Sequence, residues 1–144
     1  MNSIAVDIKD MLVAEAGFVF KTNLFIAKQP TKINNCITVI DTSSTPIQTT
    51  LDSVNYYNDS VQILVRHENY LDAFQLAETI VNTLHGKANE LWNDTYYLYI
   101  GLVSGPAQMS DPRESNSKQL NILSINFNIK RHSDIQINNN SSII

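Results

Sequence analysis

The stretch VQILVRHENYLDAFQLAETIVNTLHG, residues 61–86, joins two patterns that decide the fold of this 144-residue chain. It begins with an apolar residue at every second position, the period of a strand with one apolar face: Val61, Ile63 and Val65. Gln62 and Arg66 then belong to the outward face of that strand. Two histidines and three acids also lie in the stretch. It is therefore either a strand–helix unit with catalytic groups or a packing unit whose polar residues cap and solvate it.

The second pattern in this stretch is a helix. Asn69 occupies an N-cap position, and Asp72 follows three residues later in an approximate capping box. Gly86 fits the residue just after the helix, where glycine adopts a positive φ most easily. Apolar residues recur at i, i+3, i+4 and i+7, typical of a helix that buries one face. The members of this apolar stripe are Tyr70, Ala73, Phe74, Ala77, Ile80, Val81 and Leu84.

A first helix is predicted at the N-terminus. Ser3 can cap it, and Asp7 in its first turn faces the positive end of the helix dipole. Gly17 is a natural stop. The apolar positions with helical spacing are Ile4, Ile8, Met11 and Leu12.

The remaining segments predict strands joined by loops. Strands are expected at residues 22–27, 36–41, 96–103 and 120–130, with a brief one at 47–51. A turn is expected at residues 42–46, loops at 55–59 and 105–117, and an ambiguous turn at 91–95 with Trp92 packed inward. In the last strand Leu120 and Ile122 fall out of phase with the later apolar residues, which predicts a bulge or a doubly covered start. The order of elements favours an α+β fold: a mainly antiparallel, mixed β-sheet with two helices packed on one face.

Length and composition predict one domain, residues 1–132, followed by an Asn/Ser-rich tail, residues 133–144, that is a fraying strand or a flexible segment. Neither a signal peptide nor an apolar run of about 18 residues is present, so we expect a soluble protein made in a cytoplasm. Cys36, the single cysteine, excludes an intramolecular disulfide framework and a cysteine-based zinc cluster. Its apolar neighbours predict a buried position.

The charge distribution argues against nucleic-acid binding by counterion release, which requires clusters of lysine and arginine. The net charge is −4, and the longest basic run is Lys130-Arg131-His132. We interpret this run as a solvated strand end.

No catalytic, cofactor-binding or metal-binding residues are predicted. His67 and His85 should lie near opposite ends of the strand–helix unit, too far apart to cooperate. Phosphate-binding loops and nucleophile elbows are missing from the sequence. Asp111, Glu114 and Lys118 suggest a metal-dependent nuclease, but they fall in one expected loop with the wrong spacing.

Four segments taken in order resemble a known phage family. They are NNCITVIDTSSTP (residues 34–46), the stretch 61–86, YIGLVSGP (residues 99–106) and LNILSINFNIKR (residues 120–131). The combination resembles the minor capsid or tail terminator (tail-completion) proteins of long-tailed bacteriophages. Relatives often carry a glycine pair where this chain has Ser43 and Ser44, so the turn type expected there is open.

The resemblance implies a structural protein of the virion, assembled in the host cytoplasm, that works without catalysis. Its members would form a ring, a homohexamer, on the head-proximal end of the tail tube, end tube polymerisation and provide the head-joining surface. The implied partners are further copies of the chain, the tail tube protein and the head-completion or connector protein. Genomic DNA would pass through the lumen without specific binding. Another neck component, a head-completion or connector protein, is the alternative, and a metal-dependent nuclease is a remote one.

Residues that contact another subunit or the tube carry little sequence signal. We expect them among polar side chains of the outward strand face and of the loop at residues 105–117, with simple solvent exposure as the competing interpretation. The candidates are Gln62, Arg66, Gln108, Asp111, Arg113 and Glu114.

Overall fold

The structure, a computed structural model, describes residues 2–46, 56–109 and 120–133. Its elements in chain order are α1 (Ile4–Ala16), β1 (Leu24–Ile26), β2 (Cys36–Pro46), β3 (Tyr56–His67), α2 (Tyr70–Leu84), β4 (Glu90–Trp92), β5 (Thr95–Met109) and β6 (Asn121–Ser133).

The six strands form one sheet in the order β1-β2-β3-β6-β5-β4. β1 is parallel to β2, and every other neighbouring pair is antiparallel. Both helices lie on the same face, α1 over β1, β2 and β3, and α2 over β3, β6 and β5. The predicted α+β fold is confirmed. We call the end of the sheet that holds Pro46 and His132 its upper end, and the end that holds Cys36 and His67 its lower end.

Both helices begin and end at the predicted residues. The Oγ of Ser3 accepts a hydrogen bond from the backbone N–H of Val6 at 3.3 Å, and α1 stops at Gly17 with φ of 76°. The Oδ1 of Asn69 accepts from the N–H of Asp72 at 3.2 Å, which caps α2. These side chains satisfy N–H groups that the first turn of a helix leaves without partners.

The apolar stripe of α2 is only partly buried. Four residues of the stripe face the core and are inaccessible to solvent: Ala73, Ala77, Ile80 and Leu84. Tyr70 and Phe74 were predicted to share that burial but are 45% and 37% exposed. That part of the prediction is wrong, because the sheet covers one line of the helix and these two rings lie on its flank.

Three strands extend into segments predicted as turns or loops. β2 continues through residues 42–46 instead of turning there, β3 begins at Tyr56 instead of after a loop, and β5 continues through Gly105 to Met109. Cross-strand pairing explains the difference, since Pro46 pairs with Tyr57 and Met109 with Ile122. Backbone pairing with a neighbour overrides the turn preference of Ser, Asn and Gly. The brief strand expected at residues 47–51 lies outside the described residues.

The start of β6 is doubly covered, which resolves the two options left open by its pattern. Leu120 and Ile122, out of phase with the later apolar residues, are 6% and 2% exposed, and Leu123 on the opposite face is also buried. The β3–β6 register runs without a shift, whereas β5 carries the irregularities. Cys36 is buried as predicted, and Trp92 in β4 packs against the core.

The cap of α2 gives a direct test of the helix start. We expect Asn69→Ala to lower the free energy of unfolding by about 1 kcal/mol, because the N–H of Asp72 loses its acceptor. Urea denaturation followed by circular dichroism measures this loss. Asn82→Ala, the same substitution on the exposed face of α2, is the matched control and should not destabilise. Equal stability of Asn69→Ala and the wild type would contradict the assignment.

Candidate functional site: a buried polar clamp and an exposed helix strip

A buried carboxylate, that of Asp7, links the start of α1 to β5, which lies toward the edge of the sheet opposite β1. Asp7 is inaccessible to solvent and accepts hydrogen bonds from the Tyr97 hydroxyl in β5 and from Asn93 Nδ2 at 2.6 Å. Burial raises the pKa of the Tyr97 phenol, and the Asp7 carboxylate raises it further. Tyr97 therefore keeps its proton and remains a donor. The negative charge also lies at the positive end of the α1 dipole.

A buried ion pair lies next to this carboxylate. Arg131 in β6 donates from Nε to Oδ2 of Asp59 in β3, and from Nη1 to the carbonyl of Asn2 at 3.0 Å. Both charged side chains are almost fully buried. Within the described residues no donor reaches the second oxygen of Asp59, Oδ1. We call Asp7, Tyr97, Asp59 and Arg131 the polar clamp.

The clamp corrects our interpretation of the basic run at the end of β6. Only Lys130 is exposed. Arg131 is 5% exposed in its ion pair, and His132 is 4% exposed with its ring 5.1 Å from the ring centroids of Tyr56 and Tyr96. The prediction of a solvated strand end is therefore wrong for two of the three residues.

A third carboxylate and a cavity adjoin the clamp at the upper part of β2. Asp41 accepts a hydrogen bond from the N–H of Ala5 at 2.9 Å. Burial raises the pKa of Asp41, although the N–H of Ala5 and the charge of Arg131 act in the opposite direction. The cavity has a volume of about 360 Å³ and is lined by Ser3, Ile4, Asp41, Thr42, Ser43, Asp59 and Arg131. Ser3, Asp41 and Arg131 hold the start of α1, and the lining contains neither histidine nor cysteine.

The two histidines flanking α2 lie at its opposite ends, as predicted, and both accept hydrogen bonds from backbone N–H groups. His67 Nδ1 accepts from the N–H of Asn69, and His85 Nδ1 accepts from the N–H of Leu102, each at 3.0 Å. Across residues 2–46, 56–109 and 120–133, histidine, cysteine and carboxylate side chains form no group of three that could hold a metal ion. No helix in this part of the chain is long and apolar enough to cross a membrane.

Arg66 is buried, although the strand pattern predicted that it faces solvent. Its side chain is 2% exposed, because the segment between β1 and β2 covers it. The guanidinium donates to the carbonyls of Pro30 and Ile33. The expectation that Arg66 faces solvent is therefore wrong, and an alternation of period two could not reveal this cover.

The other candidate contact residues have different surroundings. Gln62 is half-buried and donates from Nε2 to Ser124 Oγ at 2.9 Å. Gln108 is exposed on β5. Contact of either residue with another subunit or the tube stays a prediction. The remaining candidates lie outside the described residues: Asp111, Arg113 and Glu114, together with Lys118 of the nuclease hypothesis.

One surface feature was missed by the sequence patterns. Leu71 is 72% exposed and adjoins the partly exposed rings of Tyr70 and Phe74, whose centroids are 6.4 Å apart. With Glu78, these residues follow one flank of α2, and we call them the α2 strip. The signal available in the sequence was the apolar stripe of seven residues plus Leu71, which is wider than one sheet contact can bury. This group of exposed apolar side chains makes the α2 strip a candidate contact site with another protein.

The ion pair of the clamp predicts a large effect of a single substitution. Arg131→Met should lower the free energy of unfolding by about 3–5 kcal/mol, because it leaves the Asp59 carboxylate buried without its partner. The double variant Arg131→Met with Asp59→Leu should recover most of the loss, since it removes both charges. Urea denaturation measures both, and exposed Lys130→Met is the control, expected within about 0.5 kcal/mol of the wild type. A double variant as unstable as the single one would contradict the explanation.

Asp41 predicts a pH dependence. Its pKa in the folded chain is raised by burial above the unfolded value of about 3.9, so the stabilising contribution of the protonated form is complete below that value and is lost as the pH rises through the folded pKa. Asp41→Asn keeps an acceptor for the N–H of Ala5 without titrating. The stability of the wild type relative to Asp41→Asn should therefore fall over the pH range that begins near the unfolded pKa of about 3.9 and extends upward through the folded pKa. Thermal melts across this range test it, and parallel pH profiles of the two proteins would be the contrary result.

Comparisons with known proteins relate this chain to solved structures of the same fold and to one protein family. A comparison with curated proteins found no match. Eleven chains of solved structures match, and one belongs to the virion of a native gene transfer agent particle, with a TM-score of 0.53, 11% identity, and coverage of 90% of this chain and 95% of that chain. This likeness shows a shared fold. Residues 2–132 match the family described as bacteriophage tail terminator protein, so the chain belongs to the bacteriophage tail terminator family and is a structural protein of the phage virion.

Proposed function

We propose that the protein forms a homohexameric ring on the head-proximal end of the tail tube, ends tube polymerisation there and presents the surface to which the head joins. The family match over residues 2–132 carries this proposal, because it spans every helix and strand of the fold except the last residue of β6. The role needs no catalytic step: a ring that occupies the tube end prevents the next layer of tube protein from adding.

The partners in this proposal are further copies of the chain, the tail tube protein and a head-completion or connector protein. Genomic DNA passes through the lumen without specific binding. The chemistry of the basic run at the end of β6 supports this weak interaction, because Arg131 is already paired with Asp59 and His132 is buried between rings. Cations that are buried and paired cannot release counterions from DNA.

The assembling unit is the domain of residues 1–132, and the Asn/Ser-rich residues 133–144 lie outside it. Pairing of β6 with β3 extends to His132 and pairing with β5 to Ser133, so the described sheet ends within one residue of this boundary. A chain that ends at Ser133 should then assemble like the full-length chain.

Mass photometry of the purified protein, alone and with tail tube protein, tests the ring. We expect a species of roughly 97 kDa, six times the 16.2 kDa of one chain, either free or at tube ends. The chain ending at Ser133 is measured in parallel. A protein that stays monomeric under both conditions would contradict the proposal.

Phage that lack the protein provide a second readout. If the ring ends tube growth, tails assembled without it should be over-long in electron micrographs. Tails of normal length that remain free of heads would instead identify a head-completion or connector role, and would contradict termination.

A further inference from the structure

Charge is divided between two segments of the chain. Residues 17–40 contain Lys21, Lys28 and Lys32 and no aspartate or glutamate. Residues 67–86 contain three acids, one of which is Glu78, and no lysine or arginine. One segment is therefore purely basic and the other purely acidic.

The two segments meet at the lower end of the sheet, where Asn34 and Asn35 hydrogen-bond with Glu68, but the exposed flank of α2 that carries Glu78 points away from β1. The basic segment surrounds β1, which is one edge of the sheet. The acidic segment forms α2, which lies over β3, β6 and β5, with α1 between it and that edge. Leu76 identifies the flank of α2 that faces the edge, since it lines a small cavity together with Phe18. The α2 strip (Tyr70, Leu71, Phe74 and Glu78) occupies the opposite flank and faces away from β1.

The β1 side has its own exposed apolar residues beside the lysines. Val13 near the end of α1 is 39% exposed, and Val19 in the turn before β1 is 54% exposed. Lys21 and Lys28 are exposed at the two ends of β1, and within the described residues neither has a carboxylate partner. We call Val13, Val19, Lys21 and Lys28 the β1 surface.

The outward carbonyls of β1 are already hydrogen-bonded within the chain. The N–H of Lys21 donates to the carbonyl of Leu24 at 2.8 Å, and the N–H of Lys28 donates to the carbonyl of Ile26 at 2.9 Å. These bonds occupy the carbonyls that an added strand would need. A partner that docks here must present a side-chain surface, such as the flank of a helix.

We propose that the α2 strip of one copy docks against the β1 surface of the next copy and forms the subunit contact of the ring. The inference deepens the proposed function, on which it rests. The strip combines exposed apolar side chains with the one negative charge of Glu78, and the β1 surface combines exposed apolar side chains with the positive charges of two lysines, so the signs are opposite. The apolar side chains supply burial, whereas the charges select the partner surface and fix its orientation.

The position of the two surfaces gives the contact its geometry. They are different and lie on opposite sides of one chain, so each copy uses one surface toward each neighbour. Such a heterologous contact propagates in one direction and closes into a ring when the rotation per copy permits. A contact between two α2 strips would instead pair like charges and stop at a dimer.

Two charge-reversed variants test the contact. The strip variant carries Leu71→Lys and Glu78→Lys, and the surface variant carries Lys21→Glu and Lys28→Glu. All four side chains are exposed, so both variants should fold with wild-type melting temperatures. Each variant alone opposes like charges at every subunit contact. We expect the fraction of chains in rings, measured by mass photometry with and without tube protein, to fall at least about tenfold for each.

Mixing the two variants in equal amounts should restore rings. In the mixture, the lysines of the strip variant meet the glutamates of the surface variant, and the unaltered surfaces meet at the alternate contacts. Rings of alternating composition therefore result, which native mass spectrometry can identify from the masses of the two chains. Lys130→Glu, a reversal of an exposed lysine outside both surfaces, is the control and should assemble like the wild type.

The outcomes separate this inference from the proposed function. Wild-type rings together with rings from either variant alone, or a mixture that fails to recover, would overturn the contact while leaving the ring in place. Variants that form normal rings but no longer bind tube ends would assign the surfaces to the tube protein, which also overturns the subunit contact. A wild type that never forms rings would overturn the proposed function itself.

Discussion

The burial of Asp7 at the start of α1 constrains the placement of every other layer. A carboxylate removed from water must be paired or hydrogen-bonded, and here its donors come from β5 and from the turn that precedes it. The N-terminus of α1 is thereby held across the upper end of the sheet, where Asp41 accepts from its second N–H. α1 occupies this position and covers β1, β2 and β3. On the same face of the sheet, α2 therefore packs on β3, β6 and β5. The exposed flank of α2 follows from this arrangement of the two helices.

The ion pair in the clamp connects three segments of the chain. Removing two charges from water costs several kcal/mol, and their attraction repays this only with good geometry. Among the described residues no donor reaches one of the two carboxylate oxygens of Asp59, so hydrogen bonds offset only part of the desolvation cost of this carboxylate. What the pair does provide is a fixed relation between β3, β6 and the segment before α1, since Arg131 also binds the carbonyl of Asn2.

Local signals in the sequence predict the helix ends well, because Ser3, Gly17 and Asn69 act through hydrogen bonds or dihedral angles within a few residues. The lengths of β2, β3 and β5 depend on pairing between residues far apart in the chain, so turn preferences at positions such as Gly105 misled the prediction. The candidate contact surfaces were harder still. The same periodicity correctly predicted burial of Ala73 and Ala77 but also assigned Tyr70 and Phe74 to the core. Periodicity shows that one face of the helix is apolar, but it does not show how much of that face the rest of the molecule covers. The predictions for Arg66 and Arg131 were wrong for the opposite reason. Their charge suggested exposure to solvent, but both are buried against partners in other segments of the chain.

The separation of charge between the two sides of the fold bears on why such a chain would form a ring rather than a dimer. A surface that carries only one sign of charge repels a copy of itself, which disfavours the isologous contacts that terminate at two subunits. A chain with an acidic apolar flank on one side and a basic apolar edge on the other has no self-complementary surface in this pair, and its favourable contact joins unlike sides. Each addition then exposes the same two unlike surfaces at the ends of the oligomer, so growth continues until rotation brings them together. Hydrogen bonds to the outward carbonyls of Leu24 and Ile26 add to this selectivity, because they disfavour the addition of a strand at the β1 edge.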